Sequence, residues 1–188
     1  MVYVFLANGF EETEAICPID IMRRAGIEVE LVSISEDLIV KGAHGITLKA
    51  DKKITEISVC RDDLELIMLP GGMPGTNNLY DCRPLRDMII LAANRKLPIA
   101  AICAAPMILG RLGLLSEKTA VCYPGFEAEL IGANIPKRAR VAVSDNIITA
   151  AGMGVANEFG FAIVEKLRSR EVANKIAKSI RFKQTLFI

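Results

Sequence analysis

The chain has 188 residues, 52% hydrophobic and 24% charged, with a formal net charge of +1. That fits one globular domain over residues 1–188 and excludes a disordered chain. The balanced charge, with no dense Lys/Arg stripe, removes the electrostatic basis for a nucleic-acid role, and no apolar run approaches the roughly 20 residues of a membrane span.

VYVFLA (2–7) is a short apolar run ending at Asn8-Gly9 and predicts a buried strand. It has no basic start and its first charges are acidic, so it does not read as a secretory signal. EETEAICPIDIMRRAG follows as a helix, with acids in its first turn, Arg23, Arg24 and Gly26 at its end, and Pro18 expected to kink it. EVELVSI (28–34) predicts a strand, and LIVKGAHGITLKAD (38–51) a hairpin turning around Gly42 to Gly45. LELIMLP (64–70) predicts a strand ending on Gly71-Gly72, with a helix from Pro84 to Lys96 after it. LPIAAI (97–102) is the next strand, followed directly by the helical AAPMILGRLGLL. Two more strands are expected near TAVCYP (119–124) and RVAVSDNIITAA (140–151), the latter broken at Asp145-Asn146. A long helix from Gly154 to Arg168 and a second from Glu171 to Arg181 close the chain, their basic residues reading as a solvated face. Strand–helix alternation with strongly apolar strands implies an α/β fold, a mostly parallel sheet covered on both faces. Ligands in such sheets bind beyond the carboxyl ends of the strands.

Five cysteines (17, 60, 82, 103 and 122) are odd in number, scattered and free of any CxxC pair. That argues against a disulfide framework or a zinc site and for a reducing, cytoplasmic setting. A single histidine cannot build a His-rich metal site. Three loops follow strands and should meet on the carboxyl edge: NGFEETE, PGGMPG and CAAP. Cys103 stands at a strand-to-helix junction, where it is either a small core hydrophobe or a sulfur lifted out of the sheet by a sharp turn. In the second case the N–H groups and positive end of the following helix favour thiolate, drawing its pKa below the roughly 8.5 of a free thiol. PGG is a tight turn, or it offers a backbone donor, the N–H of Gly72, to the sulfur or to an oxyanion. The acids of GFEETEA cap a helix, or one of them lies inward near the sulfur with a raised pKa and works as a general acid or base. Composition does not choose among Glu11, Glu12 and Glu14.

In the order GFEETEA, IDIMRRAGIEV, LPGGMPG, AAICAAP and GMGVANEFGFAIVEKL, the chain resembles the ThiJ/PfpI superfamily, in the branch of the Parkinson-disease-linked protein deglycase, over nearly its full length. The resemblance implies a flavodoxin-like three-layer sandwich, usually a homodimer. It places Cys103 as the reactive cysteine, Glu14 as the glutamate touching its sulfur, and Gly72 and Ala104 as backbone N–H donors. It implies cofactor-free chemistry, without a metal, on methylglyoxal-type dicarbonyls or their early adducts with amines, thiols or nucleotides. The alternative it implies is an oxidative-stress sensor or redox-regulated chaperone working through oxidation of Cys103. Some relatives carry histidine near the cysteine; here those places hold Tyr123 and Ala104, so no Cys–His dyad is available and peptidase or amidotransferase chemistry is disfavoured. Gly71, Met73 and Tyr123 are expected at the pocket. His44 is either a surface turn residue or one that reaches the partner's pocket mouth.

Overall fold

The computed structural model describes residues 1–182. The apolar runs become strands whose two faces are both covered. In β1 (Val2–Leu6), which is wholly buried, Val2, Val4 and Leu6 enter one core while Tyr3 and Phe5 enter the other, as the two-residue period of a strand requires. The remaining strands are β2 (Val29–Ser33), β3 (Ile39–Lys41), β4 (Thr47–Lys49), β5 (Lys52–Lys53), β6 (Leu66–Leu69), β7 (Ile99–Ile102), β8 (Val141–Ser144) and β9 (Ile147–Ala150). Seven of them form one sheet in the order β5–β2–β1–β6–β7–β9–β8, parallel except at the β8–β9 hairpin. β3 and β4 pair as a separate two-stranded hairpin.

On one face lie α1 (Glu12–Arg24), α5 (Ala156–Leu167) and α6 (Arg170–Ser179); on the other lie α2 (Gly75–Asp81), α3 (Arg83–Asn94) and α4 (Pro106–Arg111). Phe10, Ile19, Met22, Phe159 and Ile163 fill the first core against Val4 and Met68, and Leu79, Ile89, Met107 and Ile108 fill the second against Phe5 and Ile67. This is the expected three-layer α/β sandwich. Among the described residues no helix is long and apolar enough to cross a membrane.

Several expectations change. TAVCYP is not a strand: it makes one isolated bridge, Thr119 to Asn134. The helix expected from Ala104 starts only at Pro106, because Cys103 to Ala105 form a turn, and it stops at Arg111, short of Gly113 with its φ of +72°. α2 lies in GTNNLYD, a stretch too short and polar to show a helical period. α1 runs on through Pro18, which has no N–H to give the Glu14 carbonyl. α6 ends at Ser179 rather than Arg181, whose φ of +56° is left-handed.

Candidate active site

β1, β6 and β7 are adjacent and parallel, so their carboxyl ends deliver the three loops to one edge. The Glu11 N–H donates to the Gly71 carbonyl at 2.9 Å and joins the first two loops. Cys103 stands immediately beyond β7. Its N–H donates to Ala150 O at 2.8 Å and its carbonyl accepts from the Tyr123 N–H at 2.8 Å. Between these anchors it adopts φ +64°, a left-handed conformation costing a side-chain-bearing residue about 1–2 kcal/mol. The turn leaves the thiol half-buried rather than in the core. The backbone N–H groups of Ala104 and Gly72 stand near enough to the sulfur to favour its thiolate.

Glu14 is in the first turn of α1 and 1% exposed. Glu11 caps that helix, accepting from the Glu14 N–H at 2.6 Å. The Glu14 carboxyl accepts from the Gly71 N–H at 3.0 Å and from the Met153 N–H, and it hydrogen-bonds the Cys103 thiol. Only glycine fits at 71: a Cβ there would lie 2.5 Å from Glu14 Oε2 and 2.6 Å from Cys103 Cβ. Burial raises the Glu14 pKa to about 7 against the pull of its hydrogen bonds, and the neighbouring Glu11 charge adds to the rise. Cys103 departs from the expected depression. Burial and the Glu14 carboxylate push the thiol up to about 12, while the Ala104 and Gly72 N–H groups act the other way. The two groups therefore exclude each other as anions, and a thiolate needs the proton to sit on Glu14.

Gly152 forms the floor of the approach. A Cβ built on it would lie 3.2 Å from Tyr123 Cδ2, 3.7 Å from Glu14 Oε1 and 3.8 Å from Cys103 Sγ. A cavity of about 310 Å³ opens here, lined by Tyr123, Arg140 and the segment from Ala151 to Val155. Glu14, Cys103, Gly71, Gly72, Ala104 and Tyr123 are thus brought together. Met73 is exposed and does not line this cavity.

His44 does not line it either and is placed as a surface turn residue. It sits on the β3–β4 turn with its side chain 73% exposed, Nδ1 2.9 Å from Glu12 Oε2 and N–H bonded to Glu12 Oε1. Glu11, Glu12 and His44 hold ligand-type atoms within 4.8 Å of one another. Those atoms are occupied in capping α1 and tying down the turn. Cys17 donates to Asn157 Oδ1 and Cys122 is buried, both as packing residues. A larger cavity of about 580 Å³ lies at the opposite edge of the sheet, around Lys96, Lys118 and Asp145, and has no cysteine in its wall. The AGMG loop (151–154), expected in the pocket wall, lines the cavity, while Arg140 escaped the sequence reading. Arg140 lies 37 positions beyond Cys103 and comes to the cavity through the β8–β9 hairpin.

The family model described as "DJ-1/PfpI family" matches residues 1–166. "Protein DJ-1 homolog B" of Arabidopsis thaliana is 36% identical over 94% of this chain, which spans about 40% of that relative's length. "Glutathione-independent glyoxalase DJR-1.2" of Caenorhabditis elegans is 30% identical over 90% of this chain and 89% of its own. The structure entitled "Toxoplasma gondii DJ-1, oxidized" superposes with a TM-score of 0.89 at 37% identity, covering 96% of this chain and 97% of that one.

Proposed function

Because the chain belongs to the DJ-1/PfpI family, we propose that it is a cofactor-free, cysteine-dependent glyoxalase or deglycase acting on methylglyoxal-type dicarbonyls or their early adducts. One observation carries the reading: a buried carboxyl with a pKa raised to about 7 lies beside a half-buried thiol, and two backbone N–H groups favour the thiolate. The C. elegans relative named as a glutathione-independent glyoxalase supports it.

In this reading the proton passes from the Cys103 thiol to Glu14. The thiolate adds to the aldehyde carbon of methylglyoxal, and the resulting alkoxide takes the proton back from Glu14 to give a hemithioacetal. The N–H groups of Gly72 and Ala104 stabilise charge on sulfur and on the nascent oxyanion. The Glu14 carboxylate next removes the proton from the former aldehyde carbon and returns it to the adjacent carbon, while the hydroxyl proton passes to the neighbouring oxygen. This internal redox isomerisation yields the lactoyl thioester of Cys103. Water hydrolyses the thioester and releases lactate, so the sum is methylglyoxal plus water to lactate, with no external oxidant.

The test is methylglyoxal turnover by freshly reduced protein. Cys103→Ser should abolish it, since no base here is strong enough to activate a serine hydroxyl. A pure redox sensor gives no turnover even in the wild type, and that outcome would return Cys103 to the alternative in which its oxidation is the signal.

The same reading includes a homodimer. Ile16 on α1 and Ile39 and Ile46 on the hairpin are 39%, 49% and 53% exposed on neighbouring elements, more apolar surface than helix and hairpin usually leave in water. All five cysteines are unpaired, which fits the cytoplasm.

A further inference from the structure

Resting on the reading of Cys103 as nucleophile, we infer that Arg140 selects substrates that carry an anionic group, a carboxylate or a phosphate, within a few bonds of the reacting carbonyl. The cavity against Gly152 measures about 310 Å³, several times what the two-carbon head of a dicarbonyl fills, and Arg140 is the charged residue in its wall. The other lining side chains are those of Tyr123, Pro124, Met153, Val155 and Ala151, apolar apart from one phenol. A guanidinium in such a wall is a directional anion receptor, with five donors in a planar fork.

Its position is fixed on both sides. The Arg140 carbonyl accepts from the Ala151 N–H at 2.9 Å, which sets it across from the residue before Gly152. One guanidinium nitrogen donates to Gly154 O at 2.7 Å, and another stands 3.6 Å from Glu158 Oε1 in the first turn of α5. These contacts use part of the donor set. Glu158 offsets part of the charge without a close hydrogen bond, so an incoming carboxylate or phosphate with better geometry competes for the fork. A neutral dicarbonyl draws nothing from this residue.

A direct probe needs no turnover: the rate of Cys103 alkylation by iodoacetate divided by that by iodoacetamide, two reagents of one shape that differ in charge. Arg140→Gln should lower this ratio by about tenfold, between the effects typical of an exposed ion pair and of a charged hydrogen bond. Arg140→Lys should recover most of it, and Glu158→Gln should raise it above the wild type. In the unmutated protein, salt at about 0.5 M should depress the ratio by screening. A parallel arm compares kcat/KM for 4,5-dioxopentanoate with that for its methyl ester. The acid should be favoured by about tenfold in the wild type, and the preference should vanish in Arg140→Gln. An alkylation ratio indifferent to Arg140→Gln and to salt overturns the inference. A ratio that responds in a protein that turns over neither dicarbonyl upholds the anion subsite and overturns the catalytic reading instead.

Discussion

Replacing Glu14 with Gln separates the two acids of the site while keeping their shape. The amide still has an oxygen for the Gly71 and Met153 N–H groups and an NH₂ for the sulfur, but it cannot ionise. In the wild type the pair loses a first proton near pH 7, and its second leaves only around 12. Between those limits one proton is shared, and the thiolate fraction is set by its partition between sulfur and carboxyl, not by pH. Two unit charges ~4 Å apart in an effective dielectric of ~20 repel by about 4 kcal/mol, about a thousandfold in proton affinity. Without the carboxylate the thiol pKa therefore falls by about that factor but keeps the rise that burial imposes, and the thiolate share of the wild-type pair at neutral pH is at most on the order of a few per cent. Alkylation of wild-type Cys103 by iodoacetamide should climb to about pH 7 and then stay flat to about pH 10. In Glu14→Gln it should keep rising about tenfold per pH unit through the neutral range and pass the wild type by on the order of 50-fold at pH 10. Methylglyoxal turnover should move the opposite way, falling by roughly 10²–10⁴-fold with the loss of the proton carrier. The assay is iodoacetamide labelling at Cys103 followed by mass spectrometry from pH 5 to 10, beside steady-state turnover. A wild-type rate rising tenfold per unit from pH 7 to 8.5, or a variant with the wild-type plateau and the wild-type turnover, would refute the coupled pair.

The same carboxyl makes stability pH-dependent. Its pKa rises from 4.5 to about 7 on folding, so its contribution is complete below about pH 4.5 and lost as pH climbs through 7. Thermal melts should show Glu14→Gln gaining up to about 3 kcal/mol on the wild type between pH 4.5 and 8, at 1.36 kcal/mol per tenfold change in proton affinity. Gly71→Ala should give a folded protein with turnover reduced at least 10²-fold, because its Cβ would meet Glu14 Oε2 at 2.5 Å and Cys103 Cβ at 2.6 Å; wild-type turnover with an unchanged circular dichroism spectrum would contradict this. Light scattering at micromolar concentration should return a dimer, and Ile46→Asp, at a position 53% exposed in one chain, should shift it to monomer.

Strand positions were legible because a parallel sheet buries both faces of each strand. Val2 to Leu6 and Leu66 to Leu69 are unbroken apolar runs, and no surface helix needs such a run. The TAVCYP segment carried the same signal for a different reason. Ala120, Val121 and Cys122 are buried under the sheet's neighbouring layer without pairing as a strand, and burial rather than ladder bonding is what an apolar run reports. In the site, the loop that carries Cys103 could be read from AAICAAP. The choice of Glu14 over Glu11 and Glu12 needed the resemblance, since the inward turn of one acid among three depends on the docking of α1. Glu11 turns out to cap the helix and Glu12 to tie down the hairpin turn. The sign of the thiol shift was misread because the helix end and the backbone donors were weighed without the neighbouring carboxylate. Burial and that one charge outweigh both N–H groups.

That reversal bears on how a nucleophile is raised without an imidazole. In a cysteine–histidine pair, proton transfer creates opposite charges that hold each other, so the active state is an ion pair. Here transfer from Cys103 to Glu14 conserves a single negative charge and moves it from carboxyl to sulfur. The donors to each site set the balance: Gly71 and Met153 for the carboxylate, Ala104 and Gly72 for the thiolate. Every thiolate therefore stands beside a neutral carboxylic acid. That acid is the group required one step later, when the alkoxide of the hemithioacetal must be protonated. Activation of the nucleophile and arming of the general acid are one proton movement. For that movement to be reversible, the pKa of Glu14 has to lie near neutrality, and burial at 1% exposure supplies that condition.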